Sequence, residues 1–194
     1  MKYLRTYEGL SYDYTIVVDV QPGHEDWIDF DIQEFCDWLN NTNRSIIYLY
    51  NGPDLGYEDE NEIRWWLFEN GLDEDVANGI TFFEKNYAFF RDLMDSGADD
   101  EEIIELGKYM IENDERDSRD IERENQKKIK IRSKFFSDDY MMYIPELYDF
   151  LSNFLDKNSY PLLVGGGRDQ CLKEVELLLK MMDIEYETDE DYIY

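Results

Sequence analysis

Five short apolar runs recur along the chain, each bounded by residues that favour turns. Runs of this length, rich in branched and aromatic side chains, are typical of strands that are buried on both faces of a sheet. They cover residues 15–18, 45–50, 79–83, 161–164 and 184–187. The first run ends at Asp19 and the third leads into Lys85, so we expect both side chains at the carboxyl ends of strands.

Between these runs, apolar residues recur at helical spacing. The predicted helices cover residues 31–39, 60–69, 101–113, 144–155 and 172–182. In the first of them, Phe35, Trp38 and Leu39 fall on one face, as in a helix that packs against a sheet. Alternating strands and helices predict an α/β fold with a mostly parallel sheet, right-handed crossovers and flanking helices. Ligands of such sheets bind beyond the carboxyl ends of the strands.

A charged segment interrupts this alternation. Residues 101–134 carry 9 of the 19 basic residues of the chain, and residues 114–134 are almost wholly polar. The first part has apolar residues at helical spacing, whereas the second part predicts an exposed helix or a loop. We therefore interpret residues 96–134 as a charged helical insertion in a single α/β domain that spans residues 1–194.

The overall charge narrows the classes of partner. The chain has 47 acidic and 19 basic residues and a net charge of −28. Such a surface disfavours nucleic acid and anionic membranes, and it suits either solvation or a basic protein partner. No apolar run approaches the roughly 18 residues that span a bilayer. With two cysteines and no apolar signal core at residues 1–10, a cytoplasmic location is expected.

Candidate chemistry is concentrated in the glycine-rich stretch 165–171, which leads into a helix at Cys171. Unpaired N–H groups and the helix dipole at such a position favour a thiolate and can hold an oxyanion. Asp19 could take the proton of the thiol, and Lys85 could balance the charge. The alternative is purely structural, because free cysteines are often buried and glycines often only allow close packing.

Three motifs, in order along the chain, resemble those of one enzyme family. Residues 16–21 read Ile-Val-Val-Asp-Val-Gln, residues 85–90 read Lys-Asn-Tyr-Ala-Phe-Phe, and residues 165–171 read Gly-Gly-Gly-Arg-Asp-Gln-Cys. Together they resemble the isochorismatase-like cysteine hydrolases, which include nicotinamidases and other amidases. The resemblance implies a three-layer sandwich, self-association into a homo-oligomer, and hydrolysis of an amide or related carbon–nitrogen bond in a small-molecule substrate.

The resemblance also implies roles for individual residues. Asp19 corresponds to the general base, Lys85 to the motif lysine and Cys171 to the nucleophile. The nucleophile turn, which would hold the oxyanion, comprises Gly166, Gly167 and Gln170. In the family, the peptide bond that corresponds to the one between Gly166 and Gly167 is cis, a form that costs about 3 kcal/mol without proline.

Residues within or beside these motifs are candidates for contact with the substrate: Gln21, His24, Phe90 and Asp169. His24 is the only histidine, and a solvent-facing loop position is the alternative for it. Nicotinamidases of the family bind a metal through an aspartate and histidines after the second strand, but residues 51–58 contain no histidine. We therefore expect neither a metal nor another cofactor.

Two other functions fit the same residues. In metal-dependent nucleases of the PIN-like or NYN type, an aspartate follows the first strand and another lies before a late helix, so Asp19, Asp169 and Asp92 could gather magnesium. The basic residues within 127–134 would then have to hold the nucleic acid against the acidic surface. The other alternative is a non-catalytic protein that keeps the fold and binds, or inhibits, a basic protein.

Overall fold

The computed structural model describes residues 13–53, 56–85, 94, 97–112 and 145–194. The strands are β1 Tyr14–Val18, β2 Ser45–Asn51, β3 Thr81–Lys85, β4 Leu162–Gly165 and β5 Glu187–Thr188. The helices are α1 Ile32–Asn40, α2 Glu60–Glu69, α3 Glu74–Gly79, α4 Asp100–Glu112, α5 Pro145–Ser152 and α6 Cys171–Met181. Two 3₁₀ helices span Pro22–His24 and Glu190–Tyr192.

The five strands form one sheet in the order β3-β2-β1-β4-β5, and every pair is parallel. From β1 the chain moves outward to β3, and it then returns to the other side of β1 to form β4. This reversal of direction opens a crevice between the loops that follow β1 and β4, at the carboxyl ends of the strands. The prediction of a parallel sheet flanked by helices is therefore confirmed.

Side chains alternate between two apolar layers, one on each face of the sheet. Ile16, Val18 and Leu163 belong to the layer that includes α4, α5 and α6. Val17 and Tyr48 belong to the opposite layer, which includes α1, α2 and α3. Because both faces are covered, the strands are apolar at successive positions, and this explains why they stand out in the sequence. The result is a three-layer α/β fold.

Most elements lie within a few residues of the predicted positions. The helix α2 begins with a capping box, in which Asp59 accepts from the Glu62 N–H and Glu62 accepts from the Asp59 N–H. The predicted third strand started too early, because Gly79 ends α3. The pattern missed α3 itself, since Ala77 is its one buried residue and no apolar stripe marks it. The last strand lies at Glu187–Thr188, at the end of the predicted range 184–187.

The first part of the predicted insertion is packed into the protein. In α4, Ile103 is 1% exposed and Leu106 is 4% exposed, and both lie in the core layer that includes α6. Asp100 at the start of α4 accepts hydrogen bonds from Lys173 and Lys180 of α6. Residues 113–134 of the predicted insertion lie outside the described residues. Within the described part of the chain, each helix is too short or too polar to cross a membrane.

Candidate active site

Three predicted catalytic residues meet at the carboxyl edge of the sheet. Lys85 ends β3 and Asp19 follows β1, and the Lys85 Nζ donates to the Asp19 Oδ2 over 2.6 Å. Both side chains are buried, with exposures of 2% for Lys85 and 0% for Asp19. Cys171 begins α6 after the turn that follows β4, and Lys85 and Cys171 line the same cavity. The parallel register produces this meeting, because the ends of β1, β2, β3 and β4 lie side by side.

Asp19 has an unusual backbone conformation. Its φ of +53° lies in the left-handed region, where a residue other than glycine typically costs about 1–3 kcal/mol. Its N–H donates to the Leu49 carbonyl over 2.8 Å, and its own carbonyl accepts from the Tyr194 hydroxyl over 2.9 Å. With Oδ2 bound to Lys85, Oδ1 is the buried side-chain atom that has no hydrogen-bond partner among the described residues.

The Lys85 ammonium is stabilised by its acidic surroundings. Burial on its own would lower the pKa of Lys85, but the acidic surroundings, with the Asp19 carboxylate first among them, outweigh burial, so its pKa is raised. The side chain therefore stays a cation at neutral pH. A buried cation of this kind can balance the negative charge that develops when a neighbouring thiol loses its proton.

Glycines shape the turn that brings Cys171 to the cavity. Gly165 has a φ of +78°, and a Cβ on it would lie 2.4 Å from the Val18 carbonyl oxygen. Gly166 has a φ of +69°, and a Cβ there would lie 3.0 Å from the Leu172 nitrogen. The described residues contain no cis peptide, so the bond between Gly166 and Gly167 is trans, unlike the one that the resemblance implied. Here the two positive φ angles make the turn instead.

The turn leaves fewer amides for an oxyanion than the sequence suggested. The Gln170 N–H donates to the Gly167 carbonyl over 2.9 Å, and the Leu172 N–H reaches the same carbonyl over 3.3 Å. The Arg168 N–H donates to the Tyr194 carbonyl over 3.0 Å. The Gln170 amide is therefore already bonded within the turn. Among the turn residues that line the cavity, Gly167 and Cys171 have amides without a backbone partner in the described part of the chain, and these two can receive an oxyanion.

The resting state of Cys171 is the thiol. Burial, and then the negative charge of Asp19, raise the pKa of Cys171 to about 12, although the Lys85 ammonium opposes the rise. This differs from the sequence expectation, in which the start of a helix favoured the thiolate. The physical reason is that loss of solvent and a neighbouring carboxylate outweigh the helix dipole and the lysine. Formation of a thiolate at Cys171 would therefore require a base that removes the proton.

The cavity over this site has a volume of about 840 Å³. Its polar lining includes Asn51 and Gln170, and its aromatic lining includes Trp27, Tyr57 and Tyr194. Pockets of this size that combine aromatic walls with a few polar groups are typical binding sites for small molecules.

The other predicted contact residues have different surroundings. His24 is 3% exposed and lines the cavity, where its ring contacts Trp27 and Tyr57 with centroid distances of 5.0 and 4.8 Å. The Gln21 side chain instead joins the loop after β1 to β2, since its amide bonds both the N–H and the carbonyl of Asn51. Asp169 is exposed, and Phe90 lies outside the described residues.

Two further residues of the site were not predicted from the sequence. Glu174, which is 2% exposed, lines the cavity one helical turn after Cys171 and contributes to the raised pKa of Lys85. A charged residue three positions after Cys171, among the apolar positions of α6, was the signal for it. Tyr194 also lines the cavity, but no local pattern distinguishes it from the other tyrosines.

The residues proposed for a nuclease have different surroundings where the structure describes them. Asp19 is bound to Lys85, Asp169 is exposed, and Asp92 lies outside the described residues. In the part of the chain that the structure describes, no three His, Cys, Asp or Glu side chains are grouped so that they could hold a metal ion.

The fold and the cavity define a parallel α/β protein whose ligand crevice lies at the reversal of the strand order. No family model matches the chain, and comparisons with curated proteins and with solved structures give no significant match either. The resemblance to the isochorismatase-like hydrolases therefore rests on the three motifs and on their order along the chain.

Proposed function

We propose that this protein is a cysteine hydrolase of the isochorismatase-like type, which cleaves an amide or related carbon–nitrogen bond in a small molecule. One observation carries the proposal. Lys85 holds Asp19 through Oδ2, Oδ1 is buried with no close hydrogen bond among the described residues, and the charge and a side-chain hydrogen bond of Asp19 both act on the Cys171 thiol. A buried carboxylate oxygen that is not satisfied by a strong donor is costly in a purely structural site, but beside a thiol it is what a general base needs.

In the proposed first half-reaction, Asp19 Oδ1 takes the proton from Cys171, and Lys85 balances the charge of the thiolate. The sulfur attacks the substrate carbonyl carbon and forms a carbon–sulfur bond. The amides of Gly167 and Cys171 stabilise the oxyanion. When the carbonyl re-forms, the carbon–nitrogen bond breaks, and the nitrogen leaves as ammonia or an amine with the proton that Asp19 had taken.

In the second half-reaction, water releases the acyl group. Asp19 takes a proton from the water, and the resulting hydroxide adds to the thioester carbon. The carbon–sulfur bond then breaks, the product leaves as a carboxylic acid, and the sulfur recovers its proton from Asp19. The same carboxylate thus acts in both half-reactions, which requires it to stay close to the sulfur throughout.

The nitrogen-containing product provides the direct test. Release of ammonia would be measured with a panel of small primary amides and ureas for the wild type, Cys171→Ala and Cys36→Ala. Cys36 is the matched control, since it is the other free cysteine and lies in the α1 layer, away from the cavity. We expect Cys171→Ala to lose activity without unfolding, and Cys36→Ala to retain it. Activity in Cys171→Ala would rule out this cysteine as the nucleophile.

Other results would favour the alternatives. Lack of turnover with an ordinary thiol reactivity of Cys171 and a salt-sensitive complex with a basic protein would favour a non-catalytic binding protein. Magnesium-dependent cleavage of nucleic acid that resists thiol alkylation would favour a nuclease. The cytoplasmic location and the homo-oligomer belong to the same proposal, and the two unpaired cysteines fit a reducing compartment.

A further inference from the structure

Tyr194 connects the two loops that carry the base and the nucleophile. Its N–H donates to the Gly166 carbonyl over 3.3 Å, and its carbonyl accepts from the Arg168 N–H over 3.0 Å. Its hydroxyl donates to the main-chain carbonyl of Asp19 over 2.9 Å. One residue thus bonds to the nucleophile turn through its backbone and to the residue after β1 through its side chain.

His24 completes this arrangement. Its Nδ1 lies 2.9 Å from the Asp19 carbonyl oxygen and 3.0 Å from the Tyr194 hydroxyl. A carbonyl oxygen can only accept, so it favours the tautomer with the ring proton on Nδ1, in which His24 donates to the Asp19 oxygen. The Asp19 carbonyl therefore receives two donors from two different segments, and both donors also line the cavity.

These contacts fix the conformation of Asp19. Its left-handed backbone is unfavourable by itself, so it persists only where the surroundings hold it. The N–H is held by Leu49, the carbonyl by His24 and Tyr194, and Oδ2 by Lys85. The remaining polar atom of Asp19 is Oδ1, the acceptor that the proposed reaction uses.

We infer that Tyr194 is a positioning residue, which together with His24 holds Asp19 in the orientation that presents Oδ1 to the Cys171 thiol. The inference rests on the proposed function in one respect, namely that Asp19 acts as the base for Cys171. It adds a role for a residue that none of the three motifs contains. Tyr194 acts through Asp19 and not directly on the sulfur.

The test follows the pH dependence of Cys171 alkylation by iodoacetamide, read by mass spectrometry, in the wild type and in Tyr194→Phe. The charged groups that act on this sulfur are Asp19, Lys85 and Glu174. If Tyr194 holds Asp19 near the thiol, loss of the hydroxyl weakens the effect of the carboxylate and the thiolate forms at lower pH. We expect the midpoint to fall by about half a pH unit, so that alkylation below the midpoint is about threefold faster.

The matched control is Tyr192→Phe. Tyr192 is in the same segment, but its ring packs against Phe30, Phe35 and Trp38, and it does not line the cavity. Its alkylation profile should equal that of the wild type. A Tyr194→Phe profile that also equals that of the wild type would overturn the inference.

A double variant tests whether Tyr194 acts through Asp19. In the Asp19→Asn background, Tyr194→Phe should cause no further shift, because the carboxylate is already absent. An equal shift in that background would show a direct effect on the sulfur and would overturn the positioning role. If Tyr194→Phe does not fold, His24→Phe removes the other donor to the same carbonyl and should shift the midpoint in the same direction; an unchanged midpoint would overturn the inference.

This experiment is independent of turnover. A protein that hydrolyses none of the amides tested, but shows the shift in Tyr194→Phe, would contradict the proposed hydrolase and support the positioning role. If the protein hydrolyses an amide, but the alkylation profile of Tyr194→Phe equals that of the wild type, the proposed hydrolase is supported and the positioning role of Tyr194 is contradicted.

Discussion

At the scale of single residues, the balance between burial and charge decides the state of the site. Asp19 and Lys85 are both removed from water, and each would be costly to bury alone. Their contact of 2.6 Å lets the two charges stabilise each other. Cys171 receives less help, because the nearby carboxylate opposes its ionisation and the lysine already has a partner. In the resting site, Cys171 is therefore a neutral thiol beside the ion pair of Asp19 and Lys85.

Replacement of Asp19, the proposed base, would separate the reactivity of the thiol from the proposed catalysis. Asp19→Asn keeps the shape of the side chain but removes the charge that, after burial, raises the pKa of Cys171 most. The pKa of Cys171 should fall, so alkylation at pH 8.5 should be faster than in the wild type, while release of ammonia should be lost.

Cys171→Ser provides the blank for this measurement, because any label that remains must be on Cys36. The thiol of Cys36 should contribute little, since burial raises its pKa to about 12 and its side chain is fully buried. Slower alkylation in Asp19→Asn would contradict this prediction. It would mean that the Asp19 carboxylate lowers the pKa of Cys171 in the free protein instead of raising it.

At the scale of secondary-structure elements, the loops at the reversal of strand order bring the site together. Register places Val18 beside Gly165 and Asn51 beside Lys85, so the residues that follow β1 and β4 and the last residue of β3 share one edge. The glycine turn is as necessary for the geometry of the site as Cys171 itself. A side chain on Gly165 would meet the backbone of Val18, and the two strands would have to separate.

The helix α4, which lies in the first part of the predicted insertion, should contribute to the stability of the folded core. Ile103 is almost fully buried in the layer that also contains residues of α6. Ile103→Ala should lower the free energy of unfolding by about 2–5 kcal/mol, because it leaves a cavity in a packed core. Urea denaturation followed by circular dichroism measures this change.

Glu105→Ala is the control for this prediction, since Glu105 is exposed on the same helix and its removal should change the free energy of unfolding by less than about 0.5 kcal/mol. Equal stabilities of the two variants would indicate that α4 does not belong to the folded core.

At the scale of the whole molecule, the large negative charge opposes compactness. With a net charge of −28, repulsion between carboxylates is long-ranged at low salt, where the Debye length is about 30 Å at 0.01 M, and it is screened to about 10 Å at 0.1 M. Surface ion pairs such as Lys108–Asp183 are weakened by the same salt, but each is worth at most about 1 kcal/mol.

The melting temperature should therefore rise as sodium chloride is increased from 10 to about 200 mM, as calorimetry would show. Tetramethylammonium chloride at the same ionic strength should have the same effect, because screening depends on charge and not on the identity of the cation. A melting temperature that is constant or falls with salt would mean that favourable ion pairs outweigh the repulsion.

The sequence predicted those helices and strands that have a clear pattern of apolar and polar residues. The helix α2 was predicted with its bounds, residues 60–69, since a glycine follows its end; the capping box at its start was recognised only in the structure. The strands β1 and β2 were found because both faces are buried. By contrast, α3 is too short and too polar to show a helical periodicity. Because α3 ends at Gly79, β3 begins at Thr81 and not at residue 79 as predicted. Local sequence patterns thus identify elements that are amphipathic or fully apolar. They miss short polar elements whose structure depends on tertiary contacts.

For the site, the sequence by itself determined which side chains could supply a base, a cation and a nucleophile, because strand ends and a glycine turn mark Asp19, Lys85 and Cys171. The tertiary structure decided how these groups act on each other. Burial and the charge of Asp19 keep the proton on Cys171. The Gln170 N–H is bonded within the turn, and the Tyr194 hydroxyl bonds to the Asp19 carbonyl. The contacts of Asp19 with Cys171 and Tyr194 join residues that are far apart in the chain. Burial, distance and hydrogen-bond partners arise only when the strands are side by side, and these quantities set the pKa values and the geometry.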